Sequence, residues 1–353
     1  MTDPFGVYIH IPFCSKRCDY CAFATWTDRH HLAEPYVNAL IADIQRSVQQ
    51  EMPIADTIFV GGGTPTQIAA DSLAQVLAAI PTADNAEVTV ECNPDDVTIE
   101  MMRTYANGGV NRVSIGVQSM VPQVLAALGR THEPDNVRRA VDAARRAGIE
   151  RINLDLIYGG AGERVSDWER TVTETIALAP THVSAYALTV EAGTPLALEP
   201  HRHPDDDDLA DKYELADNLL AAAGLGNYEV SNWAQPGQEC RHNLLYWHQQ
   251  DYQGFGCAAH SHRSGRRFWN VRTPDRYIDM VAANESVEAS GEFLGPDERR
   301  TEGLQLQLRL RDGVPREALD GDELPGLVDL VEDRWVLTQR GRLMGNAVAL
   351  RLK

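Results

Sequence analysis

Three cysteines fall within eight residues, in the segment CSKRCDYC that runs from Cys14 through Cys18 to Cys21. Thiolates suit iron–sulfur clusters, and short spacings let one loop wrap a compact cluster. A four-iron cluster held by three cysteines keeps one iron open to a further ligand. A zinc ion is the other chemistry such a triplet can serve. Zinc needs a fourth donor, and His10, His30 and His31 are available in the sequence. The other cysteines, Cys92, Cys240 and Cys257, are scattered.

The chain of 353 residues carries 51 acidic and 32 basic side chains, a formal net charge of −19. Such a surface repels phosphate backbones and anionic lipid, so no nucleic-acid partner is expected. The start MTDPFGVYIHIPFC lacks a basic leader with a long apolar run, and no stretch reaches the ~18 apolar residues of a membrane span. These features predict a cytoplasmic protein with no integral membrane segment. In a reducing compartment, clustered cysteines point to metal or catalytic work over disulfides. The acidic run Asp205 to Asp208 reads as a solvated helix start and not as a metal site.

Elements that could position the cysteines alternate from residue 7 to about 234. Apolar, β-branched runs bounded by Gly, Asn or Pro predict strands at 7–13, 57–62, 87–93, 112–119, 151–159 and 182–190. Helices are expected between them. The clearest places Val37, Leu40, Ile41, Ile44 and Val48 on one face. Others cover 70–80, 98–107, 135–147, 166–178 and 207–223. Six βα units predict an α/β fold with parallel strands, as an open or partial (β/α)6 barrel, with a Rossmann-type open sheet as the rival. Either architecture puts chemistry at the C-terminal ends of the strands, where Gly61 to Thr64, Glu91, Gln118, Asp155 and Tyr186 gather. Residues 1–234 are thus expected to form the barrel. Residues 235–285 read as an extension of loops with short elements. Residues 286–353 read as a small winged-helix-like α+β domain, because RWVLTQRGRLMGNAVALRL suggests a strand, a turn and a last helix.

Further motifs have local readings. Gly61, Gly62 and Gly63 end a strand where a bulky Cβ would block the approach of a ligand. Glu91 ends an apolar strand, so its carboxylate is costly unless it meets a partner.

With these segments in view, YIHIPFCSKRCDYCAF resembles the cluster loop of radical S-adenosylmethionine (SAM) enzymes. In detail it resembles the branch containing oxygen-independent coproporphyrinogen III oxidases and HemW-type heme chaperones. Supporting motifs follow in the family's order: GGGTPT at 61–66, ECNP at 91–94, VNRVSIGVQS at 110–119, LGRTH at 128–132, NLDLIYG at 153–159 and QECRHNLLYWHQQDYQGFGCAAHS at 238–261. The resemblance implies a [4Fe–4S] cluster on Cys14, Cys18 and Cys21. It also implies a SAM pocket formed by Gly62, Gly63, Thr64, Glu91, Gln118, Arg130 and Asp155. Tyr8 and Tyr20 are expected to flank that pocket and Ala187 to line it. The implied chemistry is reductive cleavage of SAM by an electron from the cluster, which requires a low-potential electron donor as partner.

Two features bear on the choice of branch. The oxidase branch continues the cluster motif to a fourth cysteine, and here that position is Phe23. The segment RHNLLYW, residues 241–247, carries the His-Asn-x-x-Tyr-Trp signature of the heme-chaperone branch. An imidazole is a good axial heme ligand, which nominates His242, with His248, His260, His262, Cys240 and Cys257 as nearby alternatives. The plainer reading makes His242 and Asn243 core hydrogen-bonders. After NLDLIYG the chain reads GAGERVSDW, where relatives commonly have a Leu-Pro-Gly-Gln type of turn; Gly160 and Glu163 are therefore read as lineage variation. The expected function is a heme chaperone that binds cluster, SAM and heme and delivers heme to apo-hemoproteins. The alternative is the SAM-dependent oxidative decarboxylation of coproporphyrinogen III.

Overall fold

The computed structural model describes residues 3–353. All six expected strands form: β1 (Gly6–Ile11), β2 (Ala55–Gly62), β3 (Thr82–Cys92), β4 (Arg112–Gln118), β5 (Arg151–Tyr158) and β6 (His182–Ala187). They lie side by side in that order, each parallel to the next. Between them run the helices α1 (Ala33–Gln49), α2 (Ala70–Ala78), α3 (Ile99–Asn107), α4 (Pro122–Ala127), α5 (Pro134–Arg146) and α6 (Val165–Ala177). Then follows α7 (Asp206–Ala222). Only the short α4, opened by Pro122, was not expected from periodicity. The acidic run starts α7: the Asp205 carboxylate accepts from the backbone N–H groups of Asp207 and Asp208, both at 3.1 Å.

Successive side chains alternate between the two faces of the sheet, and here the faces differ in chemistry. One set, including Ile9, Val60, Val90, Ile115, Leu154 and Val183, is buried in the main core with Leu40, Leu73, Val141 and Trp168 from the helices. The other set reads Glu87, Thr89, Glu91 on β3, then Arg112, Ser114 on β4, Asn153, Asp155 on β5 and His182, Ser184 on β6. Parallel strands covered on both faces are usually apolar throughout. A polar inner face indicates a sheet curled around a polar interior.

The sheet does not stop at residue 234. Beyond β6 it continues antiparallel through β7 (Gly226–Glu229) and β8 (Asn232–Ala234). On the opposite edge, helix α8 (Arg241–Trp247) leads to β9 (Tyr252–Phe255), which pairs parallel with β1. β10 (His260–Arg263), β11 (Arg266–Asn270) and, after α9 (Pro274–Ala282), β12 (Glu288–Phe293) add antiparallel strands. The result is one sheet of twelve strands, in the order β12-β11-β10-β9-β1-β2-β3-β4-β5-β6-β8-β7. This corrects the reading of 235–285 as a mainly looped extension: it is the outer edge of the barrel sheet. It also moves the boundary expected at 286, because β12 belongs to that sheet.

The C-terminal unit begins with α10 (Pro296–Gln307) and holds β13 (Val314–Pro315), β14 (Val328–Val331) and β15 (Arg334–Leu337). These form a small antiparallel sheet, followed by α11 (Gln339–Leu343) and α12 (Gly345–Ala349). It has its own core around Leu308, Val314, Trp335, Leu337 and Val348. No helix among the described residues is long and apolar enough to cross a membrane.

Candidate cofactor site

The loop between β1 and α1 carries Cys14, Cys18 and Cys21 to the C-terminal edge of the sheet, where all three line one cavity of about 480 Å³. Burial pushes the Cys14 and Cys21 thiols up, so their thiolates call for a positive partner. No three His, Cys, Asp or Glu side chains among the described residues converge on a single-ion position. Two of the proposed fourth zinc donors are occupied: His10 Nε2 lies 2.9 Å from the Ala24 carbonyl and His30 Nε2 3.0 Å from that of Cys14. Three thiols lining one cavity are a donor set that suits an iron–sulfur cluster.

A pair of carboxylates lines the same cavity. Glu91, at the end of β3, accepts from the backbone N–H of Gly62 at 3.2 Å. Burial first and the Asp155 charge second raise its pKa to about 8. Asp155 on β5 accepts from Ser114 Oγ at 2.6 Å and Asn153 Nδ2 at 2.8 Å. Burial raises it too, against the lowering effect of those hydrogen bonds. Two neighbouring acids in a cavity form a receptor for a cationic ligand. Arg130 supplies the opposite charge: its guanidinium is held by Asn93 Oδ1 at 3.0 Å, the Gly116 carbonyl at 3.2 Å and His132 Nδ1 at 3.3 Å, and it reaches within 3.9 Å of Cys18 Sγ. SAM carries an ammonium, a sulfonium and a carboxylate, and this set of charges complements it.

Gly62 and Gly63 line this cavity where the packing behind them leaves no place for a side chain. Gly62 has φ +108°, and a Cβ there would lie 2.4 Å from the His10 ring. At Gly63 a Cβ would stand 2.7 Å from the Phe13 carbonyl and 3.1 Å from Cys14 Sγ. Gln118, with φ 61°, ends β4 in the left-handed region, a strained conformation of the kind found at ligand sites. Gln118, Thr64, Tyr20 and Ala187 line the same cavity as the cysteines.

These features decide between a fold likeness and a true relationship once the chain is set beside known proteins. It is 42% identical to the heme chaperone HemW of Mycobacterium tuberculosis strain H37Rv, over 98% of this chain and 94% of that one. With the HemW proteins of Escherichia coli K12 and Bacillus subtilis 168 the identities are 35% and 34%, each over 97% or more of both chains. The chain belongs to the HemW family. The pattern of the Radical SAM superfamily matches residues 8–175, the segment that contains the cysteines, both carboxylates and Arg130. Among solved structures, the E. coli coproporphyrinogen III oxidase HemN superposes with a TM-score of 0.86 at 20% identity, covering 99% of this chain and 89% of that one. At that identity the likeness speaks for the fold alone.

Tyr8 and His242 of this HemW-family chain are not in the wall of the cluster cavity; Tyr8 flanks it, as expected, and His242 lies apart. Tyr8 is on the inner face of β1 and lines the adjoining cavity, with its hydroxyl 3.0 Å from His10 Nδ1. His242 is 1% exposed, near the N-terminal ends of the strands and away from the cysteines. Its Nδ1 is 2.8 Å from Thr57 Oγ1 and its Nε2 2.8 Å from the Tyr246 hydroxyl, while Phe59 stacks on the ring at 5.4 Å. Burial lowers its pKa to about 4. Both nitrogens are therefore engaged in the core, which is the plainer of the two readings of RHNLLYW. Residues not singled out from the sequence are the supports Asn93, Ser114, Asn153 and His132. A period-two run of polar residues in otherwise apolar strands was the signal that could have found Ser114 and Asn153. The variant loop after β5 also has a structural reason. The Glu163 carboxylate accepts from the Gly159 N–H at 2.7 Å and meets the fully buried Lys212 Nζ at 3.3 Å.

Proposed function

We propose that this chain holds a [4Fe–4S] cluster on Cys14, Cys18 and Cys21, binds SAM beside it, and carries heme to apo-hemoproteins. Glu91 and Asp155 would receive the cationic groups of SAM and Arg130 its carboxylate. The Gly62–Gly63 backbone would form part of the wall around the ligand. A cation beside Glu91 lowers its pKa, so binding near neutral pH releases the proton that burial otherwise keeps there. Loaded with cluster and SAM, the site gains one-electron chemistry, which the protein orients and shields.

The observation that supports a carrier over an oxidase is Phe23. It stands where the oxidase branch has a fourth cysteine, is 68% exposed, and lies between the cluster cavity and its neighbour. An exposed phenyl ring at that junction offers an apolar surface to a porphyrin and no thiol chemistry. The deciding experiment uses anaerobically reconstituted protein. Hemin titration is expected to give a Soret band with about one heme per chain, followed by transfer to an apo-hemoprotein. Coproporphyrinogen turnover, assayed with SAM and reductant, is expected to be absent. Formation of protoporphyrinogen would replace this reading with the oxidase.

A further inference from the structure

A second cavity, of about 610 Å³, adjoins the cluster pocket, and Ala22 and Phe23 line both. Its volume falls in the range of small-molecule and cofactor sites. Tyr8, Tyr246 and Tyr252 give it aromatic walls, the last two meeting edge to face with centroids 4.6 Å apart. Two arginines also line it. Arg267 is paired with Glu292 and Glu302. Arg272 is exposed and has no carboxylate partner among the described residues. In a chain of net charge −19, an unpaired guanidinium beside an aromatic cavity suits a flat apolar ligand that carries carboxylates on one edge.

The histidines around this cavity differ in what their nitrogens are doing. His10 is engaged at both, with Tyr8 and with the Ala24 carbonyl. His242 sits behind Tyr246 with both nitrogens engaged. His262 is 5% exposed; its Nδ1 is 3.1 Å from the Gln250 carbonyl, and its Nε2 is enclosed without a partner among the described residues. His260 differs from all three. It opens β10, is exposed to the cavity, and neither ring nitrogen has a hydrogen-bond partner among the described residues. The ring is held by stacking on Trp269, its cross-strand neighbour, with centroids 5.6 Å apart and planes 29° apart.

We propose that His260 is the axial ligand of a heme bound in this second cavity, with Arg272 pairing one propionate. The assignment rests on the heme-carrier reading and adds the place and the ligand to it. Coordination uses the lone pair of a neutral imidazole, and no electron or proton changes hands. Because Phe23 and Ala22 form the shared wall, the heme would lie against the cluster loop.

The test is a hemin titration of the cluster-reconstituted full chain, read by absorbance, EPR and resonance Raman. Wild type is expected to show a histidine-ligated spectrum. His260→Ala should lose that signature and weaken binding by about tenfold or more, and added imidazole should restore the spectrum. Because His260 is exposed, this variant should melt with the wild type. His242→Ala should keep the histidine signature. Arg272→Glu should weaken binding a few-fold, roughly the worth of an exposed pair, without changing the spectrum. A wild-type or tyrosinate-type spectrum that persists in His260→Ala would overturn the ligand assignment and leave the carrier reading standing. An Arg272→Glu variant with wild-type affinity would overturn the propionate pairing. Wild-type protein that binds no hemin would overturn both the site and the carrier reading.

Discussion

Glu91 is held in a state that costs the empty protein stability, and Glu91→Gln exposes the cost. Its pKa stands at about 8 in the folded chain against an ordinary 4.5. Between those values the folded chain keeps a proton that the unfolded chain releases, so stability falls as pH rises through the window and levels off above it. At about 1.4 kcal/mol per tenfold, the cost reaches about 3 kcal/mol at pH 7 and about 5 kcal/mol above pH 8. Glutamine has no proton to lose and can still accept from the Gly62 N–H. An unpaired amide N–H on its other side would return about 1 kcal/mol or more of that gain. SAM-free Glu91→Gln is therefore expected to melt above wild type by several degrees at pH 8, with the gap closing toward pH 5. Thermal unfolding followed by circular dichroism across that range measures it. A gap that does not widen with pH would refute the account of Glu91 as a buried, proton-holding acid. The same variant should lose the SAM-dependent change in the EPR spectrum of the reduced cluster; retention of wild-type SAM binding would remove Glu91 from the pocket.

Anaerobically reconstituted protein should contain about four iron and four sulfide per chain; Cys14→Ala, Cys18→Ala or Cys21→Ala should lose them and Cys92→Ala should not, by metal and sulfide analysis. Stoichiometric zinc without sulfide would defeat the cluster assignment. Gly63→Ala places a methyl 2.7 Å from the Phe13 carbonyl, 2.9 Å from that of Ile11 and 3.1 Å from Cys14 Sγ, so backbone must shift; iron incorporation should fall and the thermal melt should drop with it. Lys212→Met leaves the buried Glu163 without its cation and should cost about 3–5 kcal/mol in urea unfolding, with part of the loss recovered by adding Glu163→Gln.

Much of this protein was legible from local signals. The three cysteines mark a thiolate metal site by type and spacing, and the resemblance to radical SAM enzymes points from there to an iron–sulfur cluster. The six parallel strands appear as β-branched runs between amphipathic helices, because each run's periodicity answers to whether it faces the core. Glu91, Gln118 and Asp155 could be placed on one rim because parallel strands that start on the same side also end on the same side. The loop glycines followed from that placement. What the apolar runs do not display is the polar alternation within them: Glu87, Ser114, Asn153 and Ser184 stand on the inner face of strands whose signal comes from the outer one.

Nonlocal contacts decided the rest. Strands β9 to β12 are short and rich in Gly, His and Arg, so nothing in their own sequence marks them as strands; their ladder bonds to β1 and to one another make them so. The fate of each histidine was equally beyond local reading. His242 and His260 are the same side chain eighteen positions apart in one motif-rich segment. One was drawn into the core, where Thr57, Tyr246 and Phe59 occupy its ring, and the other was left at a cavity wall with neither nitrogen engaged among the described residues. Sequence alone determined which residues can coordinate and which strand end they occupy, since valence and periodicity belong to the residue and its neighbours. Only the tertiary structure decided which of them remain free to do so, because hydrogen-bond partners and burial come from segments far away in the chain.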